Sequence, residues 1–290
     1  MTTKRIGLQL LGGAALLALA TGASAQIRGS KHDLGADGTA QATTSLTSEV
    51  CVFCHTPHGS DTTASVPLWN KPLGDPARFT TYAQLATSTL DGEEADVGSV
   101  SLACLSCHDG VQAMDTVLNQ PGSGGYAAAG AEIDTGAIGP MTGTPIPALG
   151  TDLQNDHPIG IEYAGGGCGA TTADCNPATQ TSDPDFRPAQ FQTINNNPVW
   201  WVDTGNTETG FTTVQDLAGA AVAGTTNVRE KTDMILYTRS AGAGGFTTQG
   251  PAVECGSCHD PHEAAPTATE VSFLRIANNN SNVCLSCHVK

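Results

Sequence analysis

The chain has 290 residues, with 28 Asp+Glu against 12 Lys+Arg and a formal net charge of −16. That balance argues against nucleic acid and anionic lipid as partners. Charged residues are only 14%, aromatics 5%, and glycines number 34, where an average domain has about 25% charged residues and about 7% glycine, so a conventional side-chain core is not expected.

In chain order, residues 1–25 read as a secretory signal. Lys4 and Arg5 precede an apolar stretch from Ile6 to about Ala20, and Ala23-Ser24-Ala25 forms a small-residue cleavage site. The apolar run is short and broken by Gln9 and glycines, which disfavours a membrane anchor, and no later stretch is apolar enough to span a bilayer. Cleavage leaves ten Lys+Arg against 28 Asp+Glu, a net charge of −18. Residues 26–50 form a polar segment with little evident structure, carrying His32.

Cys51-Val52-Phe53-Cys54-His55 is the first of four Cys-x-x-Cys-His motifs. Cys104–His108, Cys255–His259 and Cys284–His288 are motifs 2, 3 and 4. This pattern is the attachment site of c-type haem. The thiols of Cys51, Cys54, Cys104, Cys107, Cys255, Cys258, Cys284 and Cys287 add to porphyrin vinyl groups, and His55, His108, His259 and His288 are the proximal iron ligands. Zinc knuckles and a disulfide framework are the alternatives, and neither explains a histidine after every second cysteine. Four histidines remain, His32, His58, His157 and His262. One per haem is the number that bis-histidine ligation needs. His58 and His262 follow a proximal histidine by three residues with a proline between, so each is expected to reach a different iron.

Between the motifs, 76–90 is expected to be helical, with Ala77, Phe79, Tyr82 and Leu85 on one face, and 101–118 a second helix carrying motif 2. Residues 122–150 and 163–200 read as loops, Val199–Val202 and Met234–Tyr237 as short strands, and 283–288 as a short terminal helix. Cys168 and Cys175 lack a following histidine and are expected to pair as a local disulfide. The doubled arrangement at 51–108 and 255–288 reads as two dihaem modules, about 51–110 and 255–290, within a tetrahaem domain spanning 26–290. The fold class is therefore a multihaem cytochrome c, mostly irregular coil with short helices and a few short strands wrapped round four stacked haems. The porphyrins are expected to supply much of the apolar interior.

The four motifs, the Cys-His-x-Pro-His pairs, the Asp156–Gly160 segment and the histidine near the mature N-terminus resemble the extracellular tetrahaem cytochromes of metal-respiring bacteria, the OmcE type. That resemblance implies an electron-transfer protein that is not an enzyme and that polymerises head to tail into conductive filaments. Its partners would be other copies of itself, other multihaem cytochromes as donors, and extracellular acceptors such as metal oxides. It would be exported to the cell surface or beyond, with the periplasm as the alternative. It further implies that one distal histidine is donated across the subunit boundary, with His32 as the candidate. A monomeric periplasmic carrier would show nearly the same motifs. A multihaem reductase is the competing class and would need an open axial site.

Overall fold

A computed structural model describes residues 27–40, 42–143, 147–169, 174–175, 181–194, 196–204, 229, 232–240, 242, 246, 249–263 and 273–289. The signal reading of residues 1–25 lies outside these. Across these residues the chain is mostly coil and strand with few short helices.

Its largest regular unit is a six-stranded antiparallel sheet. The strands are β3 (Ile161–Glu162), β4 (Asp174–Cys175), β5 (Ala189–Ile194), β6 (Asn197–Val202), β7 (Met234–Arg239) and β8 (Gly250–Val253), in the order β3-β8-β7-β6-β5-β4. A separate hairpin pairs β1 (Thr116–Asn119) with β2 (Tyr126–Glu132). The strands expected at 199–202 and 234–237 are β6 and β7, and they pair with each other through Trp200↔Leu236 and Trp201↔Ile235. β5 falls where a loop was expected. Its partner fixes it: Phe191 pairs with Trp200 and Ile194 with Asn197, and Asn196 takes φ 63°, a conformation asparagine tolerates. β2 likewise forms inside the expected loop at 122–150.

The helix expected over 76–90 does not form. Two 3₁₀ turns, Pro76–Arg78 and Tyr82–Leu85, stand in its place. Asp75 caps the first and Gln84 closes onto Thr81, while Thr80 donates its backbone N–H to Thr151 O at 2.8 Å and accepts from Leu153 N at 2.9 Å. These tertiary backbone bonds outweigh a weak helical pattern. The second helix, α1 (Ser99–His108), starts two residues early and stops ten residues short of the expected end. Asp109 Oδ1 accepts from the N–H groups of Val111 and Gln112, and Gly110 turns at φ 70°, which ends the helix. Two single turns, α2 (Cys255–Cys258) and α3 (Asn282–Leu285), carry motifs 3 and 4.

Side chains do build apolar cores, contrary to the expectation from composition. Trp200, Val202, Met234, Leu236 and Tyr163 form one cluster, against which Cys258 and Cys287 pack. Leu34, Phe53, Met114 and Ile138 form another, which holds Cys54 and Cys107. A third, with Phe79, Leu102, Leu105 and Leu153, lies behind α1. Cys168 is buried in the first cluster and disulfide-bonded.

The N-terminal segment is also ordered. Asp33 is fully buried and its carboxylate accepts from Gly29 N at 2.8 Å and Gly35 N at 3.2 Å. That closes a tight loop and carries His32 into the body of the protein.

Trp200 has no exposed surface and its ring meets Phe191 at 4.5 Å. Trp200→Ala is expected to cost about 3–5 kcal/mol of stability, read as a lowered midpoint in chemical denaturation followed by circular dichroism. A loss below about 1 kcal/mol would show that this cluster is not the core of the sheet.

Candidate functional site: four motif turns in a line

Each Cys-x-x-Cys-His motif is one helical turn. In motifs 1, 3 and 4 the histidine N–H donates to the carbonyl of the first cysteine, at 2.8, 3.1 and 2.9 Å. In motif 2 the same residues lie in the last turn of α1. This i to i−4 bond puts both thiols and the imidazole on adjacent faces of one turn. The eight thiols are free. Burial pushes those of Cys54 and Cys287 up to about 12 and that of Cys258 to about 11.

A second device recurs. The carbonyl of the second cysteine accepts an N–H from a distant extended segment: Asn70 onto Cys54 at 2.8 Å, Arg275 onto Cys258 at 2.9 Å, and Arg187 onto Cys287 at 2.7 Å. The residue just before each, Trp69, Leu274 or Phe186, makes a β-bridge to the motif histidine, His55, His259 or His288. Three of the four turns are therefore clasped in the same way by segments with no common sequence.

The imidazoles are tethered through one ring nitrogen. His55 Nδ1 meets Pro67 O at 2.7 Å and His108 Nδ1 meets Pro147 O at 2.8 Å. His157 Nδ1 meets Pro158 O at 2.9 Å, and His262 Nδ1 lies 3.4 Å from Asp260 Oδ1. The backbones of Phe273 and Pro261 lie near the rings of His259 and His32. A tether at Nδ1 fixes the tautomer and orients the other ring nitrogen for a metal. Burial, then the neighbouring His108, lowers His32 to about 4, so it is a neutral imidazole.

The structure brings these rings together in pairs. His55 and His262 lie with ring centres 6.0 Å apart and planes within 15° of parallel. His32 and His108 have ring centres 6.2 Å apart. A metal–imidazole bond is about 2 Å and the ring centre lies roughly 1 Å beyond the nitrogen, so two axial imidazoles on one ion have centres about 6 Å apart. His262 thus faces the histidine of motif 1, not its neighbour in motif 3. His32 faces motif 2 of its own chain and stacks on Phe273 at 4.0 Å. Asp33 is the reason, because it folds the segment inward. His58 and His157 have no ring contact with a motif histidine among the described residues.

The motifs form a line in sequence order. Cys54 of motif 1 and Cys107 of motif 2 share one apolar cluster. The thiols of Cys104 in motif 2 and Cys255 in motif 3 are near enough to act on each other. Cys258 of motif 3 and Cys287 of motif 4 pack on the same core. The middle junction is fixed by a buried cluster that motif reading missed. Glu254, directly before motif 3, accepts from Ser101 Oγ of α1 at 2.6 Å and from Arg239 Nη1 of β7 at 2.7 Å. Ser101 Oγ also accepts from Cys255 N at 3.0 Å. Burial raises the Glu254 carboxyl, and Ser101, Arg239 and the Gly98 N–H oppose that. A Cβ on Gly98 would lie 2.1 Å from Glu254 Oε1, so only glycine admits this approach. A lone Glu and a lone Arg, 15 residues apart, carry no sequence signal that would have found them.

The donor set suits haem c. Paired thiols, an adjacent tethered imidazole and a second imidazole at axial separation are what that group requires. Trp69, in edge contact with His55 at 6.1 Å, keeps a buried indole N–H without a protein acceptor, a donor suited to an anionic propionate. Among the described residues no three His, Cys, Asp or Glu converge as a bare metal site. No helix among them is long and apolar enough to cross a membrane.

Residues 249–290 match a family model described as a doubled CXXCH motif. A search of curated proteins found no match. The family match points to a multihaem c-type cytochrome with covalently attached haem, and fits an electron-transfer protein and not an enzyme.

Glu254→Ala is expected to destabilise the protein by about 3–5 kcal/mol, because it leaves Arg239 without its buried partner. Ser101→Ala should cost about 1 kcal/mol. Chemical denaturation of the two variants checks the ranking, and equal small losses would show that the junction rests on apolar packing alone.

Proposed function

We propose that the chain carries four haem c groups and works as an electron conduit. The observation that carries this reading is the unbroken line of motif turns through Cys54/Cys107, Cys104/Cys255 and Cys258/Cys287. When bound, haem c supplies one-electron ferric/ferrous chemistry at each motif. The polypeptide's part is to hold, orient and enclose. Cys51 and Cys54, Cys104 and Cys107, Cys255 and Cys258, and Cys284 and Cys287 are the attachment thiols. His55, His108, His259 and His288 are the proximal ligands, and backbone carbonyls tether His55 and His108. His262 and His32 are the distal ligands at motifs 1 and 2, as their ring separations support. His157 and His58 serve the remaining two. With four histidines outside the motifs, each iron would have a second histidine available, which favours a conduit over a reductase. The Cys168 bridge is assigned to Cys175, the one other cysteine outside the motifs.

The protein is exported, and it polymerises head to tail as a filament subunit. A heterologous contact that does not close on itself grows as an open chain. With His32 committed to its own chain, the histidine reaching the next subunit is His58. It sits beside motif 1 at one end of the line, and the fourth motif lies at the other end. His157 belongs with the motif 3 side, because Gly160 N bonds Val253 O at 2.8 Å and Ile161 pairs with Val253. Other multihaem cytochromes as donors and extracellular metal oxides as acceptors fit a chain of this acidity only through specific sites, since the bulk charge repels anionic partners.

The test is a set of three histidine variants. Intact mass of the purified protein should show four covalent haems in each. His262→Ala should open one iron, that of motif 1, to carbon monoxide in the reduced protein. His32→Ala should open one iron, that of motif 2, and leave filaments intact by electron microscopy. His58→Ala should abolish filaments. A dominant high-spin signal in the oxidised wild-type protein by electron paramagnetic resonance would contradict the conduit and favour a reductase. Filaments lost in His32→Ala and kept in His58→Ala would reverse the assignment of the donor.

A further inference from the structure

Lys71 has no solvent-exposed surface. Its Nζ donates to Met114 O at 2.9 Å and Thr116 O at 2.7 Å. Met114 O is also the acceptor of Cys107 Sγ, at 3.8 Å. On the other side the ammonium is near enough to Cys54 to act on its thiol. The side chain therefore lies at the seam between motifs 1 and 2. The polypeptide alone excludes it from water, and the backbone fixes its place. Asn70 N bonds Cys54 O, Leu118 N bonds Asn70 O at 2.8 Å, and Asn70 Nδ2 donates to Val52 O at 2.7 Å and Asn119 O at 3.0 Å.

Burying an ammonium costs several kcal/mol even after relaxation, and an apolar side chain of similar volume would fill the space more cheaply. Both of its partners are carbonyls, which accept from the ammonium and bring no negative charge to the seam. One acidic group lies near it and offsets its field. Asp115 is fully buried in the same strand approach, with Oδ2 accepting from Asp134 N at 2.9 Å and Oδ1 without a partner. Burial raises its carboxyl, the Asp134 N–H pulls it back, Glu132 adds to the rise and Lys71 again opposes it. A retained buried charge at this seam acts on whatever changes charge there.

We propose that Lys71 is a redox-tuning residue, raising the reduction potentials of the haems on motifs 1 and 2, with Asp115 as its counterweight. The inference rests on the haem reading above. Reduction adds one electron, from the chemical reductant of the titration, to a ferric iron and moves no proton at Lys71. The ferrous state carries one positive charge fewer, so a fixed cation in a low-dielectric seam favours it. Motifs 3 and 4 lie beyond the Cys104–Cys255 junction and have their own cations, Arg275 near Cys258 and Arg187 near Cys287, so the Lys71 effect is expected at motifs 1 and 2 alone.

The experiment is a spectroelectrochemical titration of the full-length tetrahaem protein with Lys71→Met, Lys71→Arg and Asp115→Asn. In Lys71→Met, two of four midpoint potentials should fall, with a loss of tenfold or more in the reduction equilibrium, about 59 mV for a one-electron couple. The other two should stay in place. Lys71→Arg should keep the wild-type potentials. Asp115→Asn should move the same two upward, and this variant carries the test where Lys71→Met does not fold. A fully loaded protein with unchanged potentials, or with Asp115→Asn and Lys71→Met shifting in the same direction, overturns the tuning role alone. A protein with no haem on motifs 1 and 2 by peptide mass overturns both the role and the reading it rests on.

Discussion

The structure depends on one short bond repeated along the chain, from the histidine N–H of a motif to the carbonyl of its first cysteine. That bond closes a single turn and gives two thiols and an imidazole a common orientation. A single turn is not a stable helix in isolation, because nucleation costs more than one hydrogen bond returns. Something else must hold each turn, and in three of the four it is an extended strand segment bonded to the second cysteine's carbonyl. The six-stranded sheet, the hairpin and the long connections supply or brace those segments. They explain why a chain so poor in helix keeps its motif turns in register.

The same logic accounts for the two apolar cores. The thiols at the junctions between motifs 1 and 2, and between 3 and 4, are packed on side-chain clusters. The middle junction, between 2 and 3, is polar. Ser101, Arg239 and the Gly98 backbone converge on Glu254 there. An apolar contact is tolerant of sliding, whereas a carboxylate with three directed partners is not. The two halves of the line are therefore docked by the more specific kind of contact, and Lys71 adds a second buried charge one junction away. Both are in regions without an aqueous shell, where a unit charge counts most.

Much of the chemistry was legible in the sequence because attachment chemistry demands fixed spacing. The eight motif thiols and the four histidines that follow them needed no structure to find. The offset of His262 from its neighbouring motif was also readable, since three residues and a proline cannot bring it round to the other side of the same iron. Most of the architecture was not legible. β5 and β2 lie in Gly-, Thr- and Asn-rich stretches whose strand identity comes from their partners. The helix expected at 76–90 lost to backbone bonds from Thr151 and Leu153, more than sixty residues away. The place of His32 turned on Asp33, whose buried carboxylate looks in the sequence like any acidic loop residue. Glu254, Arg239 and Lys71 matter only through tertiary neighbours, and a single sequence does not show those.

The most direct test of the whole arrangement is a high-resolution structure of the haem-loaded protein, read for its axial ligands. The account requires His262 opposite His55 on the iron of motif 1 and His32 opposite His108 on the iron of motif 2, both from the same chain, with the four porphyrins in the order 1-2-3-4. A structure in which His32 coordinates an iron of another subunit, or in which the porphyrin order departs from the motif order, would contradict it.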